Sequence, residues 1–230
     1  MTSVLPAAIL LDQDGTIIDS EPIWDEVEFD LTRELGGTLT PEIRETFIGG
    51  PLSVTARTII ELTGTAVSQE EIEHEIVERV ASTIEERGVR WLPGVADFLA
   101  RMRSAGLPIA VVTASYHRIA DAVMADAPVE GITLMVAGDD VEHPKPDPAG
   151  YRLAAERLGV DPQRCVAVED SFPGMCAAVG AGARTIMVPG MQRVELAEGV
   201  SRVNALADID LELLARVMSG ECVDLARVPA

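Results

Sequence analysis

Lysine is almost missing from this sequence: of eighteen basic residues seventeen are arginine, and the one lysine is Lys145. Any chemistry that needs a compact ammonium group therefore has a single source. Positive charge as a whole is scarce, with a formal net charge of -20. That excludes a nucleic acid or an anionic membrane surface as partner, because both demand a basic face that displaces counterions. Cysteine is sparse too. Cys165, Cys176 and Cys222 are odd in number and lack metal-ligand spacing, so they read as reduced thiols in a reducing compartment. No uncharged apolar run approaches the roughly 18 residues a membrane helix needs, and Pro6 to Leu11 is too short, without a basic leader, for a signal peptide. The expectation is a soluble, cytoplasmic protein, monomeric by default. With 230 residues, 47% of them apolar, the chain can bury one large core or a core with an insert.

What is present alternates. Short apolar runs at Ala7 to Leu11, Pro108 to Val112, Leu134 to Ala137, Cys165 to Val168 and Thr185 to Val188 read as strands. Between them lie helical patterns at Val95 to Ser104, Tyr116 to Met124, Pro148 to Leu158 and Gly174 to Ala181. A weaker strand at Val203 to Ala205 and a helix at Leu211 to Met218 follow, and the tail after Gly220 reads as loose. This is the signature of a doubly wound α/β fold with a parallel sheet. Residues 18 to 87 differ: Ile72, Ile76, Val80 and Ile84 recur every fourth residue among glutamates, and no strand pattern interrupts. They predict an all-helical insert after the first strand.

Three apolar runs end directly in polar residues: Asp12-Gln13-Asp14-Gly15-Thr16, Thr113-Ala114-Ser115 and Glu169-Asp170-Ser171. Parallel strands share a direction, so these residues converge at one edge, where open α/β sheets bind ligands. Asp12, Asp14, Glu169 and Asp170 would crowd together, raising one another's pKa unless a cation sits among them. Oxygen-only ligands favour a hard ion, magnesium before calcium. Thr113, Lys145 and the turn amides after Asp12 are donors suited to three phosphoryl oxygens. Singly, each feature has a plainer reading: a turn at Asp12, helix caps at Thr113 and Glu169-Asp170-Ser171, a solvated Lys145. Their joint order at the strand ends carries the functional one.

At this point the chain resembles the haloacid dehalogenase-like superfamily, and within it the β-phosphoglucomutase-like phosphatases with a helical cap. Asp12-Gln13-Asp14-Gly15-Thr16 is similar to the first motif, Thr113 to the second and Lys145-Pro146-Asp147-Pro148 to the third. Val168-Glu169-Asp170-Ser171 with Gly174 is similar to the fourth. Gln13 departs from the pattern, which usually has a large apolar residue there; the expectation is a side chain turned away from the site. The resemblance implies a Rossmann-like catalytic core at 1–17 and 88–230 and a helical cap at 18–87, closing over the site on hinges near 16–19 and 88–92. It implies that Asp12 attacks phosphorus and becomes an aspartyl phosphate, while Asp14 serves as acid and then base. Magnesium would be held by Asp12, the Asp14 carbonyl and Asp170, with Glu169 in support. Lys145 and Thr113, with Ala114, would grip the phosphoryl group.

Within the superfamily, the absence of any cap lysine excludes a Schiff-base phosphonatase. Asp14 and Asp170 speak against metal-free dehalogenation. A β-phosphoglucomutase is the alternative, but Ser20 and Trp24 stand where those enzymes carry threonine and histidine. Their cap arginine and lysine have no match in Ile48-Gly49-Gly50-Pro51-Leu52. The expected activity is hydrolysis of a small phosphorylated metabolite. Trp24, against a packing role, and Arg57, against a solvated one, are the cap's candidates for touching it. His117 and His143 flank motif loops without a visible partner. A binding module that has lost its chemistry is the contrasting hypothesis, and the intact Asp12, Asp14, Lys145 and Asp170 set argues against it.

Overall fold

A computed structural model describes residues 4–47, 50–128, 130–190 and 194–225. Ile48 and Gly49, part of the segment compared with the mutase cap, lie outside them. The described residues cluster into two compact units, 1–19 with 90–117 and 127–230, and 20–89 with 118–126.

The larger unit is built on a parallel sheet of six strands. These are β1 (Ala8–Leu11), β4 (Ile109–Val112), β5 (Ile132–Val136), β6 (Cys165–Glu169), β7 (Arg184–Met187) and β8 (Ser201–Arg202), in the order β5-β4-β1-β6-β7-β8. Every residue of β1, β4 and β6 is buried. A strand covered on both faces needs no polar alternation, which is why these read as continuous apolar runs. Toward one face Ala8, Leu10, Ala110, Val112 and Ala167 pack with Tyr151, Ala154 and Ala155 of α7 (Ala149–Leu158) and Ala177 and Ala178 of α8 (Phe172–Ala181). The intervening Ile9, Leu11, Val111, Val166 and Val168 are just as buried toward the other. α5 (Val95–Ser104), α6 (His117–Ala125) and α9 (Leu211–Met218) complete the helices predicted for the core. From β1 the chain builds outward through β4 and β5, then crosses back to β6 on the other side. The ends of β1, β4 and β6 thus flank the point where the winding reverses.

Three details differ from expectation. The insert's ends pair as an antiparallel ribbon, β2 (Ile18–Asp19) with β3 (Arg90–Trp91), too short for any periodicity to announce. The last strand falls at Ser201–Arg202 instead of Val203 to Ala205. The described part of the tail, 221–225, is tied down: Val223 is buried, and the Arg202 amide donates to its carbonyl while the Arg202 side chain pairs with Asp224 at 2.8 Å.

The second unit is helical: α1 (Glu21–Glu34), α2 (Pro41–Arg44), α3 (Leu52–Thr63) and α4 (Gln69–Arg87). α4 opens with a capping box, Ser68 against Glu71, and buries Ile72, Ile76, Val80 and Ile84, the spacing read from sequence. Most of α6 clusters here, where Arg118 pairs with Glu78 and Glu85. Among the described residues no helix is long and apolar enough to cross a membrane.

Candidate active site

Asp12 follows the last residue of β1, and its amide still donates to Val168 O, so the β1–β6 ladder delivers it to the sheet edge in register. The chain then turns sharply. The Gln13 carbonyl accepts from the amides of Thr16, Ile17 and Ile18, and Gly15 takes a φ of 83° that a side chain would resist. A Cβ on Gly15 would also fall on the Asp170 carboxylate. Glycine is therefore what lets the first and fourth motif segments meet.

The acidic cluster forms as expected. One oxygen each from Asp12, Glu169 and Asp170 lies within 4.8 Å of the others. Lys145, whose side chain is 9% exposed, places Nζ 2.5 Å from Asp12 Oδ1 and 2.6 Å from Glu169 Oε1. Burial raises the pKa of Asp12, with repulsion from Glu169 adding and Lys145 opposing. Burial likewise raises Asp170, reinforced by Asp12 and Glu169. Burial works against the Lys145 charge, but Asp12 and Glu169 outweigh it and hold the proton firmly. One ammonium among three carboxylates leaves negative charge uncompensated, and Asp12 Oδ2 is buried without a hydrogen-bond partner among the described residues. An all-oxygen donor set with surplus charge and an unsatisfied carboxylate oxygen fits a divalent cation of the magnesium type.

Glu169 is fully buried and braced on several sides. Tyr151 donates its hydroxyl to Oε1 at 2.5 Å, and Ser171 Oγ reaches Oε2 at 3.3 Å. The Tyr151 ring also lies 5.3 Å from Lys145 Nζ. Ser171 caps α8 by accepting from the Gly174 amide. A Cβ on Gly174 would collide with the Glu169 carboxylate. Asp147 of the third motif accepts from the Ala149 amide and so starts α7, which carries Tyr151.

Asp14 stands on the other side of the turn. Its Oδ2 accepts from Ser115 Oγ at 2.9 Å, Thr113 Oγ1 at 3.2 Å and Gln13 Nε2 at 3.2 Å. Thr113 directly follows the last residue of β4, Ala114 beside it is exposed, and Gly138 leaves room for the Ala114 carbonyl. Asp12, Asp14, Thr113, Lys145, Glu169 and Asp170 are thus brought together by the core alone. Trp24, half-buried on α1, and Arg57, exposed on α3 with Nε donating to Ser53 O, belong to the helical unit.

Sequence reading missed Tyr151 and, although it brought Ser115 to the sheet edge, gave it no role. A lone tyrosine in an alanine-rich helix six residues after the lysine, and a hydroxyl two residues after Thr113, were the available signals. It misplaced Gln13, whose side chain is fully buried and turned onto Asp14. It also found no partner for His117. The ring Nε2 lies 2.9 Å from Asp140 Oδ2, and Arg157 pairs with the same carboxylate, so His117 helps fasten the loop after β5.

A family model for haloacid dehalogenase-like hydrolases matches residues 6–182. Hexitol phosphatase B of Escherichia coli is 30% identical over 216 residues, spanning 91% of this chain and 93% of its own length. A phosphorylated carbohydrates phosphatase of Thermotoga maritima is 31% identical over 183 residues, spanning 78% and 83%. Among solved structures, a mutant of CbbY from Rhodobacter sphaeroides in complex with xylulose-(1,5)bisphosphate aligns with a TM-score of 0.79 at 28% identity. That alignment covers 89% of this chain and 96% of the other.

Proposed function

The chain belongs to the haloacid dehalogenase-like hydrolases, and from that premise we propose that it hydrolyses a small sugar or polyol phosphate through an aspartyl-phosphate intermediate, with magnesium as cofactor. The observation that carries this reading is the meeting of Asp12, Glu169 and Asp170 around Lys145 at the ends of β1 and β6. The names of the relatives, which act on hexitol and carbohydrate phosphates, support the substrate class.

In this reading an Asp12 carboxylate oxygen attacks phosphorus as the ester P–O bond breaks, and Asp14 hands its proton to the departing alkoxide. Asp14 then takes a proton from the water that attacks the phosphoaspartate, freeing Asp12 and inorganic phosphate. Lys145 and Thr113, with the Ala114 main chain, hold the oxygens of the transferring group. Asp12, Asp170 and the Asp14 carbonyl, with Glu169 behind them, would hold the metal, whose chemistry is to neutralise charge on those oxygens. Tyr151 and Ser171 keep Glu169 from swinging away from Lys145. Residues 1–17 and 88–230 serve as the catalytic core and 18–87 as the cap that selects substrate, with Trp24 and Arg57 as its candidate contacts. The three free cysteines support a cytoplasmic location.

A panel of hexose, hexitol, pentose and glycerol phosphates, assayed for phosphate release with magnesium and with EDTA, tests the proposal. Release that needs magnesium and vanishes in Asp12→Asn is the expected result. Turnover that survives EDTA or Asp12→Asn sinks it. Conversion of glucose 1-phosphate to its isomer without release of phosphate would move the assignment to the mutase.

A further inference from the structure

Between the two aspartates of the first motif stands an amide where the family resemblance leads one to expect hydrocarbon. Gln13 is fully buried, and its carbonyl oxygen Oε1 has no hydrogen-bond partner among the described residues. Leaving a buried acceptor unsatisfied costs a fold stability, and an apolar side chain of the same length would fill the space without that cost. What the amide gains is one contact: Nε2 donates to Asp14 Oδ2 at 3.2 Å. The main chain that carries the residue is pinned, because three amides, those of Thr16, Ile17 and Ile18, bond to the Gln13 carbonyl.

We propose that Gln13 is a positioning residue for Asp14: it fixes the carboxylate along the direction in which the proton is passed to the leaving oxygen. The proposal rests on the phosphatase reading above. The same Oδ2 also takes the Ser115 and Thr113 hydroxyls. Hydroxyl rotors can swing to other acceptors, whereas the amide is held by a buried side chain and a pinned backbone. With three donors on Oδ2 the proton that Asp14 gives up is carried on Oδ1, and general acid catalysis depends on the aim of that oxygen when the ester P–O bond breaks and the leaving oxygen takes the proton.

The test compares two substrates of nearly equal shape. Phenyl phosphate expels a basic phenolate that benefits from a proton, whereas p-nitrophenyl phosphate expels a stable anion that does not. kcat/KM covers only the steps up to departure of the leaving group, so it isolates the acid role of Asp14. Gln13→Met keeps length and removes the donor. The expected result is a loss of about tenfold in kcat/KM on phenyl phosphate, the effect of one hydrogen bond to a charged group, and less than about twofold on p-nitrophenyl phosphate, with Tm unchanged or raised. Gln13→Leu repeats the comparison should the methionine variant fold poorly. Equal losses on both substrates assign Gln13 a purely structural role, and no loss on either removes any role; both overturn the proposal. A wild-type protein that, with magnesium, releases phosphate neither from these aryl esters nor from any of the sugar and polyol phosphates above fails the phosphatase reading itself.

Discussion

Replacing Glu28 with glutamine should remove a pH dependence of stability that the wild-type protein carries. Arg44, on α2, is 4% exposed and its guanidinium faces Glu21 at 2.8 Å, Asp25 at 3.1 Å and Glu28 at contact distance. The Phe47 ring centroid lies 5.6 Å from the same group. One cation cannot balance three carboxylates, and Glu28 is the one buried as deeply as Arg44 itself. Burial raises the Glu28 pKa, Arg44 lowers it, Glu21 and Asp25 raise it again, and the net effect is about 7 against an ordinary 4.5. A carboxyl that binds its proton more tightly folded than unfolded adds stability in full below pH 4.5, and loses it as pH rises to about 7. At 1.36 kcal/mol per pH unit, that window is worth about 3 kcal/mol. Glutamine keeps the volume and stays neutral at every pH, imitating the protonated acid. Urea unfolding of both proteins, from about pH 4.5 to about pH 8, reads the difference directly. The variant should be more stable by about 3 kcal/mol at the upper end and equal at the lower. A difference that is constant with pH would refute the reasoning, for it would mean that the Arg44 pair outweighs burial and Glu28 stays ionised throughout.

Two further outcomes concern the core. Magnesium should raise Tm, since an ion that binds the folded carboxylate cluster at a hundred times its Kd stabilises by about 2.7 kcal/mol. EDTA should reverse the shift and Asp170→Asn should abolish it in a thermal scan; a shift that persists in Asp170→Asn would place the ion elsewhere. Gly174→Ala should lower kcat/KM by at least about tenfold, because the new Cβ meets the Glu169 carboxylate and forces it off Lys145. Alanine is otherwise the better helix former, so a variant that is both active and more stable would contradict the close packing seen here.

What was legible in sequence follows from where physics leaves a periodic trace. β1, β4 and β6 are buried on both faces, so Ala8–Leu11, Ile109–Val112 and residues 165–168 announce themselves as unbroken apolar runs that stop at a polar residue. Shared strand direction then brings Asp12, Thr113, Glu169 and Asp170 to one edge without knowledge of any loop. The trace disappears once the chain leaves the strand. Gln13 is expected to point away if alternation continues from Leu11, yet the turn closed on its own carbonyl and on the positive φ of Gly15 breaks that alternation. The Arg44 cluster was hidden differently. Glu21, Asp25 and Glu28 are spaced as one stripe along α1, and nothing in that spacing marks a buried partner. The partner is an arginine from α2, a helix of four residues, and of the three acids Glu28 alone is buried with it.

The solitary lysine makes physical sense once its neighbours are known. Nζ sits between two carboxylates that belong to different segments, Asp12 after β1 and Glu169 at the end of β6, and both contacts are about equally short. An ammonium is a compact point charge whose three protons radiate in separate directions, so one atom can serve both acids while the ring of Tyr151 lies close by. A guanidinium spreads its donors across a rigid plane, so that it meets two carboxylates through different nitrogens. Elsewhere in this protein a planar fork suffices: Arg118 spans Glu78 and Glu85, and Arg202 meets Asp224 with two nitrogens. Arginine can therefore replace lysine across the rest of the chain, whereas position 145 must bridge two buried acids from a single atom.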